Sequence, residues 1–151
     1  MAYVQLATAA CGPVEIEEND IVTFPHGVPG FEEIHRFVLI KPEPELPFSY
    51  LQAVDELDLA FVVTDPFGFF ADYEFELSEA DQSDLSAERE DQLVVLTILT
   101  VRDDLAEATA NLFAPVVINW ETKKGKQVVL HDSGYSTKHP LLPAVAQEGR
   151  G

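Results

Sequence analysis

Short apolar or alternating runs, separated by turn residues, recur about every eight to twelve positions along the chain. Such spacing is typical of an antiparallel sandwich or a small barrel. The run at 94–101 (VVLTILTV) is β-branched and nearly all apolar, which predicts a central, well-buried strand. Further strands are predicted at 14–16, 21–24, 37–40, 50–54 and 59–64, and at 127–130, which closes a hairpin against 116–119 across a turn at 122–126.

One segment alternates aromatic and acidic side chains. Over 70–77 the rings and the acids take opposite faces with a period of two, which predicts a half-buried strand. Ser78 follows as an N-cap with acids in the next turn, and it predicts the one helix, from 78 to about 91. The loop at 24–31 holds two prolines and two glycines and is predicted to be irregular.

These elements predict a mainly β protein, with a single-domain antiparallel β-barrel-like fold and one short helix. A length of 151 residues suits one domain, which we expect to span 1–143, followed by a flexible tail at 144–151. The strands do not alternate with helices along the chain, so a doubly wound parallel sheet is not expected.

The chain is strongly acidic, with a net charge of −18 at pH 7. Such a field repels phosphate, so we expect neither direct nucleic-acid binding nor attachment to an anionic membrane. Cys11 is the only cysteine, which excludes an internal disulfide and agrees with a reducing compartment. The apolar run near the N-terminus has no basic residue before it and is interrupted by Gln5 and Thr8, unlike a signal peptide. A cytoplasmic protein is predicted.

The acids are concentrated where the aromatic rings are. Thirteen carboxylates and no Lys or Arg lie between Lys41 and Arg89, and eight aromatic residues share that window. Acid attracts a basic partner over distance, and rings supply apolar contact area once the partner arrives, so the window is interpreted as a contact surface. The alternative is a solvated acidic face above rings that belong to the core.

Two sets of residues are candidates for partner binding. The first is the acidic face with two adjacent rings, of which only one can point inward from an extended strand. The second is the edge at the end of the 94–101 run, although Val101 itself is better interpreted as a core residue. The candidates are Phe69, Phe70, Asp72, Glu74 and Glu76 in the first set, and Val101, Arg102 and Asp103 in the second.

The sequence contains no recognisable catalytic motif. It has no phosphate-binding GxxxxGK or GxGxxG loop and no GxSxG elbow. Its four histidines show no metal-ligand spacing, and no cofactor or metal is predicted. A small hydrolase that uses the acidic cluster is the enzymatic alternative, and it requires a pocket with two carboxyl groups about 5–9 Å apart. A non-enzymatic protein is expected.

Several stretches together carry a resemblance to a known family. They are FPHGVPGFEEIHRFVLI at 24–40, the segment 47–77 with its LQAV motif, and the segment 95–143 with NLFAPVVIN. In order and spacing, over about 14–143, they resemble the flagellar assembly factor family called FliW. The fold of that family is an antiparallel β-barrel-like domain with little helix, which agrees with the strand pattern.

The resemblance implies a regulator with two protein partners. Members of the family bind CsrA, a small dimeric RNA-binding repressor of flagellin translation, away from its RNA site, and they also bind flagellin. Unexported flagellin then occupies the factor and frees CsrA, and export of flagellin reverses the exchange. The implied partners of this chain are thus a CsrA-type regulator and flagellin, with a monomer when free. The alternative is a dedicated flagellin chaperone without control of the repressor.

Overall fold

β-Strands form most of the regular structure in the residues that the computed structural model describes, which are 3–9, 11–42, 45–101, 107–131 and 133–141. The strands are β1 (Tyr3–Thr8), β2 (Gly12–Glu17), β3 (Val22–Thr23), β4 (Arg36–Ile40), β5 (Ser49–Ala53), β6 (Ala60–Thr64), β7 (Leu93–Thr100), β8 (Thr109–Ala110), β9 (Val116–Asn119), β10 (Lys124–Gln127) and β11 (His139–Pro140). The helical segments are α1 (Glu79–Asp84) and single 3₁₀ turns at Glu18–Asp20, Pro66–Gly68 and Glu90–Gln92.

Seven of these strands close into a barrel. Its order is β3, β4, β5, β6, β7, β9, β10 and back to β3. The pairing of β10 with β3, at Lys124 and Thr23, is parallel, and the other pairs around the ring are antiparallel. β7 pairs with β6 along one edge and with β9 and then β8 along the other. The predicted mainly β, barrel-like, single-domain fold is confirmed.

The barrel interior is filled by side chains that alternate along its strands. On β7, Leu96 faces this interior while Leu99 packs in a layer outside it, which explains why the whole run is apolar. Gly125 of β10 leaves room for an aromatic ring, because a Cβ there would stand 2.6 Å from Cζ of Phe24. The interior cluster consists of Val22, Phe24, Val28, Phe37, Leu51, Ala53, Val63, Leu96, Val116 and Ile118.

Two further apolar layers cover opposite sides of the barrel. One lies outside β7 and β9 and includes Leu99 and Val117. The other lies under the hairpin of β1 and β2 and includes Leu6, Ile16 and Val38, the last on the outer face of β4. Since β4 is three strands from both β7 and β9 around the ring, these layers lie on opposite sides of the molecule.

The predicted strands within the barrel are confirmed to within a residue or two, except that the strand predicted at 127–130 lies three residues earlier, at Lys124–Gln127. The N-terminal strand was missed. Tyr3–Thr8 forms β1, paired along its whole length with β2. Its alternation is visible in the sequence, since Leu6 and Thr8 are buried while Gln5 and Ala7 are exposed. The polar residues that argued against a signal peptide thus belong to a two-faced strand.

Three local predictions were wrong. Residues 70–77 form no strand: the chain turns at 70–73, where the N–H of Tyr73 donates to the carbonyl of Phe70 at 3.0 Å, and 73–77 join no sheet among the described residues. The helix ends at Asp84 rather than near 91, because the backbone turns left-handed at Ser86, where φ is 53°. The hairpin on β9 turns at 120–123 rather than 122–126, since the Asn119 side chain accepts hydrogen bonds from two backbone N–H groups immediately after β9.

The expected tail at 144–151 lies outside the described residues. Within the described ranges, no helix has the length and apolar character needed to cross a membrane.

Candidate protein-binding site

Residues 69–77, here called the strap, cross the outside of the barrel without pairing to a described strand. The strap is fixed by side chains instead. The Tyr73 hydroxyl donates to the backbone carbonyl of Leu112 at 2.8 Å, and the Tyr135 hydroxyl lies 3.2 Å from both the N–H and the carbonyl oxygen of Glu74. These contacts tie the strap to the chain segments beside β8 and β11.

Aromatic rings surround Tyr73, the residue that anchors the strap through its hydroxyl. The Tyr73 ring centroid lies 4.8 Å from that of Tyr135, 5.5 Å from that of Phe75 and 5.9 Å from that of Phe67. Burial, followed by the nearby Tyr135 hydroxyl, raises the pKa of Tyr73 well above its ordinary value. Tyr73 therefore stays neutral and acts as a hydrogen-bond donor to the Leu112 carbonyl rather than as an acid or base.

Helix α1 follows the strap and is clamped to β10. Ser78 caps the helix, as predicted, by accepting from the N–H of Asp81 at 3.1 Å. Lys126 of β10 reaches Asp81 and Asp84 with Nζ–Oδ distances of 2.6 Å each, and His26 Nε2 lies 3.4 Å from Asp84. Partial burial disfavours the Lys126 charge, but hydrogen bonds to both aspartates outweigh it and raise its pKa. The Lys126 hydrogen bond in turn lowers the pKa of Asp84.

An open groove of about 640 Å³ separates the strap from the segment that follows α1. Its floor is the outer face of the sheet, where β7 contributes Leu93 and Val95 and β9 contributes Val117. Phe67, with 46% of its surface exposed, stands at the groove as an apolar contact that the fold leaves uncovered. The remaining lining comes from Tyr73, Glu74, Phe75, Glu76 and Leu77 on one side and from Gln82, Ala87, Glu88, Arg89 and Glu90 on the other.

The rim of this groove is acidic on both sides. Glu74 and Glu76 point to solvent from the strap, and Glu88 and Glu90 are exposed on the facing segment. Arg89 is the cation in the lining, and it is already held by Asp91 at 2.9 Å and Glu121 at 2.8 Å. An apolar floor with a negative rim suits a partner that presents apolar side chains flanked by Lys or Arg.

The structure brings some of the predicted site residues to the groove and leaves others elsewhere. Asp72, Glu74 and Glu76 are exposed as predicted, and the last two line the groove. The prediction that only one of Phe69 and Phe70 would point inward was wrong, because both are half-buried against the layer outside β7. Outside a regular ladder, adjacent side chains are not forced onto opposite faces.

Of the second predicted set, the structure describes Val101 alone, and Val101 does not line the groove. Val101 was expected in the core, but it is 42% exposed, because β7 ends at Thr100 and no described strand covers the next residue. Arg102 and Asp103 lie outside the described residues.

Sequence reasoning missed one wall of the groove. Glu88 and Glu90 face the strap only because the helix ends early and the chain returns toward β7. Phe67 is one of the eight aromatic residues of the acidic window but was not among the candidates for partner binding. It lies in a turn, where Asp65 Oδ1 accepts from its N–H at 2.9 Å. Its exposure was signalled by that turn, since the tip of a tight turn leaves a large side chain little to pack against.

Across the described ranges, no group of three or more His, Cys, Asp or Glu side chains converges as metal ligands. The carboxylates of the groove stand on an open rim rather than around an enclosed cavity, so the geometry favours contact with a macromolecule.

Comparison with known proteins decides the family. The model of the FliW protein family matches residues 5–141. The chain belongs to the FliW family. A flagellar assembly factor FliW of Natranaerobius thermophilus is 43% identical over 141 residues, which are 93% of this chain and 93% of that protein. Another, of Bacillus subtilis, is 43% identical over 130 residues, covering 86% of this chain and 91% of that protein.

The FliW fold is also shared with a solved structure. A crystal structure of the flagellar assembly factor FliW matches with a TM-score of 0.87 at 42% identity, over 93% of this chain and 99% of that chain. The family match confirms the resemblance seen in the sequence and extends it to residue 5, within β1.

Proposed function

We propose that this chain is a non-enzymatic flagellar assembly factor that binds a CsrA-type translational repressor and is itself bound by flagellin. The proposal rests on the apolar groove, which has carboxylates on both sides: Glu74 lies on the strap and Glu90 on the facing segment. Relatives are named flagellar assembly factors, which connects the chain to flagellum assembly. The chain acts in the cytoplasm, as a monomer when free, where both partners are made.

The electrostatics support a repressor partner in particular. An RNA-binding protein carries basic surface, and a chain with net charge −18 attracts it over distance. Once bound, the carboxylates of the strap add negative charge near the RNA site, and so lower the affinity of the repressor for phosphate without covering that site. The acidic chain itself binds neither nucleic acid nor an anionic membrane.

Charge reversal at the groove tests this proposal by calorimetric titration into purified CsrA-type repressor at two salt concentrations. Glu74→Lys/Glu76→Lys is expected to weaken the complex by about tenfold or more and to flatten its salt dependence. Glu56→Lys/Asp58→Lys makes the same charge change at two exposed positions outside the groove and is the matched control. Equal losses of affinity in the two variants would show that long-range attraction alone accounts for binding, and the groove would then have no part in the proposal.

Titration with and without bound flagellin separates the two regulatory interpretations. Tight binding to the repressor that flagellin abolishes is the expected result. A second candidate, a dedicated flagellin chaperone, predicts tight binding to flagellin and none to the repressor. The exposed Phe67 supports this candidate, because an uncovered aromatic ring marks a site for apolar contact with another protein.

A further inference from the structure

The hairpin of β1 and β2 packs on the barrel but does not pair with any described strand of the barrel sheet. It forms a two-stranded sheet of its own, and in the described part of the chain no third strand joins it. Each strand of such a pair leaves one edge of backbone groups without a strand partner. Exposed strand edges are templates for pairing with another extended chain.

A second groove, of about 500 Å³, runs along β2. Four consecutive residues of β2, from Val14 to Glu17, line it, whereas β1 contributes Tyr3 alone. The opposite wall is β4, from Val38 to Ile40. Because side chains alternate in a strand, a wall built from consecutive residues is a strand edge, with its backbone toward the groove.

The side chains of this groove have the chemistry of a peptide site. Ile16 and Val38 are buried at its base, and Val14 and Ile40 are half-buried beside them. Tyr3, at 55% exposure, stands at the open end of the hairpin. The charges are three carboxylates against the single ammonium group of Lys41, and no described salt bridge engages these carboxylates, which belong to Glu15, Glu17 and Asp20.

We propose that the edge of β2, with the groove between it and β4, is a second docking site for an extended segment of another protein in which basic residues alternate with apolar ones. Backbone hydrogen bonds to β2 hold the segment, apolar side chains enter between Val14 and Val38, and Lys or Arg pair with Glu15 and Glu17. This site is on the opposite side of the barrel from the groove between the strap and the segment that follows α1. Occupation of one site therefore does not block the other.

A synthetic probe tests the site on the full-length chain. The probe is a nine-residue peptide of alternating Val and Lys, blocked at both ends and labelled for fluorescence anisotropy. We expect it to bind, and we expect Glu15→Lys/Glu17→Lys to weaken it about tenfold. Glu74→Lys/Glu76→Lys, the same charge change in the other groove, should leave its affinity within about twofold of the wild type.

Two matched outcomes would overturn the proposal. One is that a peptide of alternating Ser and Lys binds as tightly as the Val and Lys probe. Binding would then come from charge alone, without apolar side chains entering the groove. The other is hydrogen exchange in which the probe fails to slow the backbone amides of 14–17, since a segment paired to β2 must protect that edge. Slowed exchange at 14–17 in the wild type, and not in Glu15→Lys/Glu17→Lys, is the supporting result.

Discussion

The hydroxyl of Tyr73 donates a hydrogen bond to the backbone carbonyl of Leu112 at 2.8 Å, across 39 positions of the chain. Tyr73 is 4% exposed and Leu112 is 2% exposed, so this bond is made in the interior. Because the strap joins no sheet among the described residues, this bond takes the place of the strand pairing that would otherwise hold it. The contact therefore holds one wall of the acidic groove against the barrel.

Removal of the Tyr73 hydroxyl should loosen the strap. Tyr73→Phe leaves the buried carbonyl of Leu112 without this donor, which we expect to cost about 1–3 kcal/mol in the free energy of unfolding measured in urea. Tyr135→Phe removes the hydroxyl next to Glu74, in an exposed position, and should cost less than about 1 kcal/mol. A loss at Tyr73→Phe no larger than that at Tyr135→Phe would contradict the role given to the hydrogen bond with Leu112, and no loss in either variant would leave ring packing as what holds the strap.

The clamp of α1 should depend on pH in a defined window. Lys126→Gln removes both ion pairs, and we expect a loss of about 1–2 kcal/mol near neutral pH. Asp84 has a lowered pKa, so its contribution is complete above the ordinary pKa of an aspartate and is lost as the pH falls through the lowered value. Lys126 has a raised pKa, so its contribution is present below the ordinary pKa of a lysine and is lost as the pH rises through the raised value.

The difference in unfolding free energy between wild type and Lys126→Gln should therefore be constant from about pH 5 to about pH 9 and shrink beyond each limit. Lys124→Gln is the control, because Lys124 carries the same charge on the same strand but donates to the Ser86 hydroxyl, at 2.9 Å, and pairs with no carboxylate among the described residues. A pH profile of Lys126→Gln that parallels that of Lys124→Gln would assign the effect to net charge rather than to the clamp.

A side chain at Gly125 should overpack the barrel interior and lower the free energy of unfolding. A methyl group there meets the Phe24 ring at 2.6 Å, and Phe24 is fully buried, so Gly125→Ala is expected to cost about 1–3 kcal/mol in thermal or urea unfolding. Gly68→Ala is the control, because a Cβ at Gly68 meets nothing within 4 Å. Partial recovery in Gly125→Ala/Phe24→Leu would confirm the contact, and an equal cost at both glycines would contradict it.

The sequence predicted the fold better than the site, for a physical reason. Alternation and β-branched runs are local, so the barrel strands and the acidic face of Glu74 and Glu76 were visible in the chain itself. The anchoring of Tyr73 to Leu112 was not, because it joins segments distant in sequence. The same holds for the wall at Glu88 and Glu90, whose position depends on where α1 stops.

Phe67 provides a test of the groove that does not involve charge. Phe67→Ser removes the exposed ring, and since apolar anchors at the centre of an interface dominate affinity, we expect the complex with a CsrA-type repressor to weaken by about tenfold or more in calorimetry. The free energy of unfolding should change by less than about 1 kcal/mol, because the ring is 46% exposed. Val129→Ser, at a residue 39% exposed and outside the groove lining, is the control and should leave affinity unchanged. Full affinity in Phe67→Ser, together with weakened binding in Glu74→Lys/Glu76→Lys, would reduce the groove to an electrostatic surface on which the partner rests without inserting a side chain.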